Sequence, residues 1–217
     1  MHLVHTLQSD NKMTIDISIK RGAFIAKINS LLQEFQFGNS EVLTKLMNTY
    51  ATSLYGSNTW DIFSKDCEKL YTSFNVAIRQ ILNVDRRTHR YLIEELSECH
   101  HLKTMLASRY VSFYKMLTET VKTPVRFLTR ISECDQRTVL GRTLSTLLRL
   151  SALQTDDLRL LTTSDIKRSC KYWPIPSTEK WRVHMCKELF KVREGSMTLP
   201  GFEVAECEEI LSYICVS

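Results

Sequence analysis

Leu102-Lys103-Thr104-Met105-Leu106-Ala107-Ser108-Arg109-Tyr110-Val111-Ser112-Phe113-Tyr114-Lys115-Met116-Leu117 is the stretch that decides the fold class. Leu102, Met105, Leu106, Tyr110, Phe113, Tyr114 and Leu117 recur at the helical period, so one face of a long helix is apolar and the opposite face polar. The residues upstream repeat the pattern. Phe24, Ile25, Ile28, Leu31, Leu32 and Phe35 form a first stripe, with Gly38-Asn39-Ser40 as its stop and the next cap. Leu43, Leu46, Met47, Tyr50 and Leu54 form a second stripe that ends near Gly56, and Cys67, Leu70, Tyr71, Phe74, Ile78 and Ile81 form a third that starts near Ser64 or Asp66.

Downstream, Thr123-Pro124 reads as an N-cap followed by proline at the first helical position. Val125, Leu128 and Ile131, then Val139, Leu140, Leu144, Leu147 and Leu148, are expected to extend the core. Short helices are expected around Trp181 to Lys191 and Glu206 to Tyr213, with Leu199-Pro200-Gly201 turning between them. The chain has only 6 glycines and 4 prolines in 217 residues, too few turn formers for a β-sandwich or barrel. The expected class is therefore mainly all-α, an antiparallel helical bundle followed by a small helical C-terminal region, with at most a short β segment at the N-terminus. A composition shift at Ser151 to Ser164 sets the boundary between residues 13–150 and residues 151–217.

Composition narrows the function classes. The chain is 43% hydrophobic and 24% charged, which is ordinary for a globular protein. No apolar run approaches the roughly 18 residues of a membrane span, and no secretory signal opens the chain, so an intracellular location, cytoplasmic or nuclear, is expected with no membrane partner. Seven cysteines with irregular spacing argue for reduced thiols packed as small hydrophobes rather than a disulfide framework. Cys170, His184 and Cys186, with Cys207 as a fourth, are the one cluster to weigh for zinc. They lack the close ligand pairs such sites use, and no metal or other cofactor is expected. Cys99-His100-His101 reads as a polar helix start. No nucleophile elbow, phosphate loop or zincin spacing is present, so neither an independent enzyme nor a small-molecule substrate is expected.

The net charge of +5 is modest but unevenly placed. Lys122, Arg126, Arg130, Arg137, Arg142 and Arg149 face only Glu133 and Asp135 in their stretch. A second stretch holds Lys167, Arg168, Lys171, Lys180 and Arg182, interleaved with Tyr172, Trp173 and Trp181. Clustered arginine supplies phosphate contacts, and exposed aromatics stack on unpaired bases. The plainer reading is a solvated helix face with tryptophans buried for packing.

Four ordered pieces add to this. Tyr50-Ala51-Thr52-Ser53-Leu54-Tyr55-Gly56-Ser57-Asn58-Thr59-Trp60-Asp61 resembles the segment just past the palm of LINE-type (non-LTR) retrotransposon reverse transcriptases, in the thumb. Asn83-Val84-Asp85-Arg86-Arg87-Thr88-His89-Arg90, Ala107-Ser108-Arg109-Tyr110 and Asp135-Gln136-Arg137-Thr138-Val139-Leu140-Gly141-Arg142 are similar to later pieces of the same polyprotein. His2-Leu3-Val4-His5-Thr6-Leu7 resembles the strand after the palm, with Val4 where the family usually has glycine. Trp173-Pro174-Ile175-Pro176, Glu179-Lys180-Trp181-Arg182 and Leu199-Pro200-Gly201-Phe202-Glu203, closing on Cys215, resemble the C-terminus of jockey-like elements.

The resemblance implies that residues 1–12 are a remnant of the palm-proximal strand, residues 13–150 a thumb-like helical bundle and residues 151–217 the tail. The family's aromatic-Ala-Asp-Asp hairpin, which with an earlier aspartate holds the two catalytic metal ions, has no counterpart here. Asp156-Asp157 reads as a capped helix start. The expected function is thus sequence-independent binding of RNA or an RNA–DNA hybrid without catalysis, alongside the palm and fingers of the parent polymerase where these are present. Expected contact residues are Lys20, Arg21, Lys27, Arg126, Arg130, Arg137, Arg142, Lys167, Arg168 and Lys171. A helical protein-interaction module, or a retroelement remnant without function, is the competing expectation.

Overall fold

The computed structural model describes residues 13–35, 38–151, 180–195 and 204–216, apart from the side chains of 150 and 151. Of the described residues 79% are helical and none lies in a strand, so the chain is mainly all-α. The expected N-terminal β segment, and the turn at Leu199-Pro200-Gly201, fall outside the described residues.

Helix α1 (Thr14–Glu34) buries Ile17, Phe24, Ile28 and Leu31 along one face. Asn39 caps α2 (Ser40–Leu46), its Oδ1 accepting the Glu41 N–H at 2.7 Å. A single π turn, Met47–Ala51, follows directly. Gly56, at φ 84°, then turns the chain into the 3₁₀ turn Ser57–Thr59, a left-handed position that glycine takes without steric cost. Helix α3 (Lys65–Ile81) starts at Ser64, whose Oγ accepts the Cys67 N–H at 3.3 Å. Helices α4 (Arg90–Ser97), α5 (Leu102–Glu119), α6 (Thr123–Cys134), α7 (Val139–Ser151), α8 (Lys180–Arg193) and α9 (Val204–Val216) complete the described elements. His101 begins α5 as expected, its Nδ1 accepting the Lys103 N–H at 3.2 Å.

These helices sort into two compact units that interleave along the chain. The first holds the start of α1 as far as Gly22, the segment Leu54–Tyr71, and the helices α5, α6 and α7. Trp60 is its largest fully buried side chain, and the indole Nε1–H donates to Asp16 Oδ2 at 2.8 Å. Tyr71 is also buried, with its hydroxyl donating to the Ile62 carbonyl at 2.7 Å and its ring meeting His101 edge-on at 5.5 Å. Lys103 pairs with Glu68 at 3.2 Å while lying 5.0 Å over the Phe63 ring.

The second unit holds the rest of α1 from Ala23, the segment as far as Ser53, Thr72–His100, and the helices α8 and α9. Phe24 and Phe74 pack at 6.1 Å in its interior, and Met47, Ile78, Leu82 and Leu92 are buried in the same unit. Arg193 ties α8 to the end of α3: its guanidinium donates to the Asn83 carbonyl at 3.1 Å and to that of Leu82, and stacks 4.3 Å from the Phe190 ring.

Three local expectations change. Helix α4 is eight residues long with Leu92, Ile93 and Leu96 buried, too short for its stripe to stand out in the sequence. Helix α6 starts at Thr123 rather than just after it, with Lys122 in the cap position. Its stripe also does not enter the core. Leu128 is 62% exposed and Ile131 51%, Phe127 beside them is 62% exposed, and Thr129 is the only buried residue of the helix.

Candidate nucleic-acid interface

Helix α6 and its cap carry three exposed basic residues. Pro124 sits in its first turn, where its missing N–H is needed by no helical bond. Thr129 is buried with its hydroxyl donating to the Val125 carbonyl at 2.9 Å, while Arg126 and Arg130 are exposed. Lys122, Arg126 and Arg130 follow at four-residue spacing, roughly 6 Å apart along the helix. All three are exposed, and among the described residues none has an acidic side chain as partner.

The acid on the same helix is engaged elsewhere. Glu133 accepts the Tyr114 hydroxyl at 2.8 Å, and Asp135, just past the helix, accepts the backbone N–H of Arg137 at 2.9 Å. Arg137 is exposed on the turn between α6 and α7. The result is a basic row of Lys122, Arg126 and Arg130, with Arg137 exposed on the following turn and Phe127 exposed next to Arg126 in sequence.

The other expected contacts fall differently. Arg142 is held by Asp61, its Nε 3.0 Å from Oδ2, so its charge is already answered within the first unit. Lys20 and Arg21 are half-buried on the part of α1 that belongs to the first unit. Lys27 belongs to the second unit and donates to the Tyr50 carbonyl at 3.0 Å, which satisfies an acceptor at the end of the π turn. Lys167, Arg168 and Lys171 lie outside the described residues. In the second basic stretch Arg182 is half-buried, 5.7 Å over the Trp181 ring and 3.5 Å from the Tyr91 hydroxyl.

The pieces that carry the family resemblance serve structure in this chain. Three of them meet in the first unit: Asp61 pairs with Arg142, and the Tyr110 hydroxyl donates to the Leu140 carbonyl at 3.4 Å. Burial pushes the Tyr110 phenol well above its ordinary range, so it stays a neutral donor. Gly141 is fixed by the same packing, because a Cβ there would lie 2.4 Å from the Asp135 carbonyl oxygen and 2.6 Å from that of Ser132. The fourth piece, Asn83 to Arg90, is a reverse turn with Asn83 at φ 48°. Asp85 accepts the Arg87 N–H at 2.7 Å, and that backbone bond holds its carboxyl below the usual range.

Among the described residues no group of three or more His, Cys, Asp or Glu side chains is placed to hold a metal ion. Of the zinc cluster weighed from the sequence, His184 is exposed while Cys186 and Cys207 are buried, and Cys170 is outside the described residues. No described helix is long and apolar enough to cross a membrane. Comparison with protein families, curated proteins and solved structures gives no match for this chain.

Proposed function

We propose that this chain is a non-catalytic nucleic-acid-binding segment, corresponding to the thumb and C-terminal region of a LINE-type retrotransposon reverse transcriptase, and that it grips an RNA–DNA hybrid through its backbone. The observation that carries the proposal is the exposed row Lys122, Arg126, Arg130 and Arg137, with its neighbouring acid Glu133 bonded to Tyr114. Bases spaced along a helix and the turn that follows it match phosphates, which position a duplex without reading its sequence. A hybrid is near A-form and presents a shallow minor groove and sugar-phosphate edges rather than a readable major groove. Four ordered sequence pieces resembling the family supply the choice of hybrid over other polyanions.

Two measurements test this. Fluorescence anisotropy with a labelled hybrid at low salt is expected to show binding that unrelated hybrids of equal length compete equally well; absence of binding contradicts the reading. The same protein, with no counterpart of the metal-holding hairpin in its sequence, is expected to incorporate no nucleotide with magnesium or manganese. Template-dependent incorporation that stays with the protein through purification would overturn that expectation.

One observation favours a second reading. The bare apolar face of α6, with Phe127, Leu128 and Ile131 each at least half exposed, suits a protein partner. Apolar docking is insensitive to salt, whereas phosphate contacts weaken steeply with it.

A further inference from the structure

Cys186 on α8 and Cys215 on α9 bring their sulfurs to 3.7 Å, and both side chains are buried. Neither is an isolated thiol in an apolar pocket. Arg193, fixed by the carbonyls of Leu82 and Asn83, and Arg182, one turn before Cys186, place two guanidinium charges beside the pair. The Cys215 carbonyl accepts the His89 N–H at 3.2 Å, which anchors the end of α9 on the start of α4. A cleft of about 190 Å³ in the same unit reaches Cys215 between Asn83, Asp85, Arg193, Glu208 and Ser212. Cys186 does not line it.

We propose that Cys186 and Cys215 form a reactive dithiol, in which a hydroperoxide entering the cleft oxidises Cys215 and Cys186 then closes an intramolecular disulfide. The two thiols are unequal. The sulfur–sulfur hydrogen bond, helped by Arg193 and Arg182 and opposed by burial, pulls Cys215 below the ordinary thiol range, while the same bond, burial and the neighbouring sulfur charge push Cys186 up. The Cys215 thiolate attacks the peroxide O–O bond, taking one oxygen as sulfenic acid and releasing the other as water after protonation. Cys186 gives up its proton and attacks the Cys215 sulfur, forming the S–S bond and expelling the sulfenic oxygen as a second water. Two thiols are oxidised by two electrons and one hydrogen peroxide is reduced to two waters. The sulfurs need only close from 3.7 Å to a bond of about 2 Å. The product links α8 to α9 across 29 positions of sequence.

The test exposes the full, pre-reduced chain to hydrogen peroxide, quenches it by alkylation in denaturant at intervals, and maps the peptides by mass. Cys186 and Cys215 are expected to lose alkylation together, about 10-fold faster than the exposed Cys134. The two peptides should appear linked and about 2 Da lighter, and dithiothreitol should restore both thiols. In Cys186→Ser, dimedone should trap Cys215 as its sulfenic acid, whereas in Cys215→Ser, Cys186 should stay reduced. The proposal is overturned when Cys134 oxidises while Cys186 and Cys215 remain alkylatable, or when either links to a different cysteine. Both of these outcomes are read on the unmodified sequence and need no variant to fold.

Discussion

Replacing Trp60 by alanine is expected to lower the unfolding free energy by about 4 kcal/mol, a large share of the roughly 5–15 kcal/mol that holds an ordinary domain together. The side chain is fully buried, so truncation leaves a cavity that the surrounding helices fill only in part. It also removes the indole donor from Asp16, itself 2% exposed, and the loss of a bond to a buried carboxyl adds to the cavity cost. Trp60→Phe keeps a six-membered aromatic ring but loses the N–H and the rest of the five-membered ring, and is expected to cost about 2 kcal/mol. Urea unfolding followed by circular dichroism reads both variants. A Trp60→Ala protein within about 1 kcal/mol of the parent would mean that the Asp16–Trp60 link is not a support of the first unit.

Gly141→Ala is expected to cost about 2 kcal/mol net, and the sign is the informative part. At an unconstrained helical position the change would favour the folded state by about 1 kcal/mol, since glycine is the poorer helix former. Here the added methyl would sit 2.4 Å and 2.6 Å from two backbone oxygens, of Asp135 and Ser132, which cannot rotate away as a side chain end would. The start of α7 must then move off the end of α6, and overpacking of that kind costs roughly 1–3 kcal/mol beyond the propensity gain. Thr138 is disturbed with it, because its hydroxyl bridges to the Ser132 carbonyl at 2.8 Å and accepts the Gly141 N–H at 2.9 Å. A variant as stable as the parent, by the same urea measurement, would contradict the close approach of the two helices.

Much of the helical architecture was legible because long amphipathic stripes carry a strong periodic signal. Helix α5 runs Leu102–Glu119 where its stripe lies, and α8 and α9 cover the two short helices expected after residue 180. A stripe says which face is apolar, not what covers it, and α6 shows the difference. Its pattern is as regular as that of α5, yet Phe127, Leu128 and Ile131 are exposed and only Thr129 is buried. Charge has the same ambiguity. Arg126 and Arg142 read alike in sequence, but Asp61, 81 positions upstream, holds Arg142, and nothing local marks that pairing. Cys186 and Cys215 were legible only as two of seven scattered thiols, since their contact depends on how α8 and α9 pack.

The resemblance to retrotransposon thumbs rests in part on Tyr50–Asp61 and Asp135–Arg142. In the fold those pieces are joined by the Asp61–Arg142 pair, while Arg137 of the second piece stays exposed. Lys122, Arg126 and Arg130 of the exposed row lie between them in sequence and outside the resembling pieces, whereas Arg137 belongs to the second piece and is exposed.

The measurement that tests the central claim most directly is a salt titration of hybrid binding, comparing the parent with a variant in which Lys122, Arg126, Arg130 and Arg137 are all alanine and whose folding is verified. Each lost phosphate contact should flatten the dependence of log affinity on log salt by about one, so the slope should fall by roughly three to four. Arg142→Ala, which breaks an exposed ion pair worth about 0.5 kcal/mol of stability, should leave the slope unchanged. A slope that survives the quadruple substitution, or that falls with Arg142→Ala alone, would contradict the assignment of nucleic-acid contact to the α6 row.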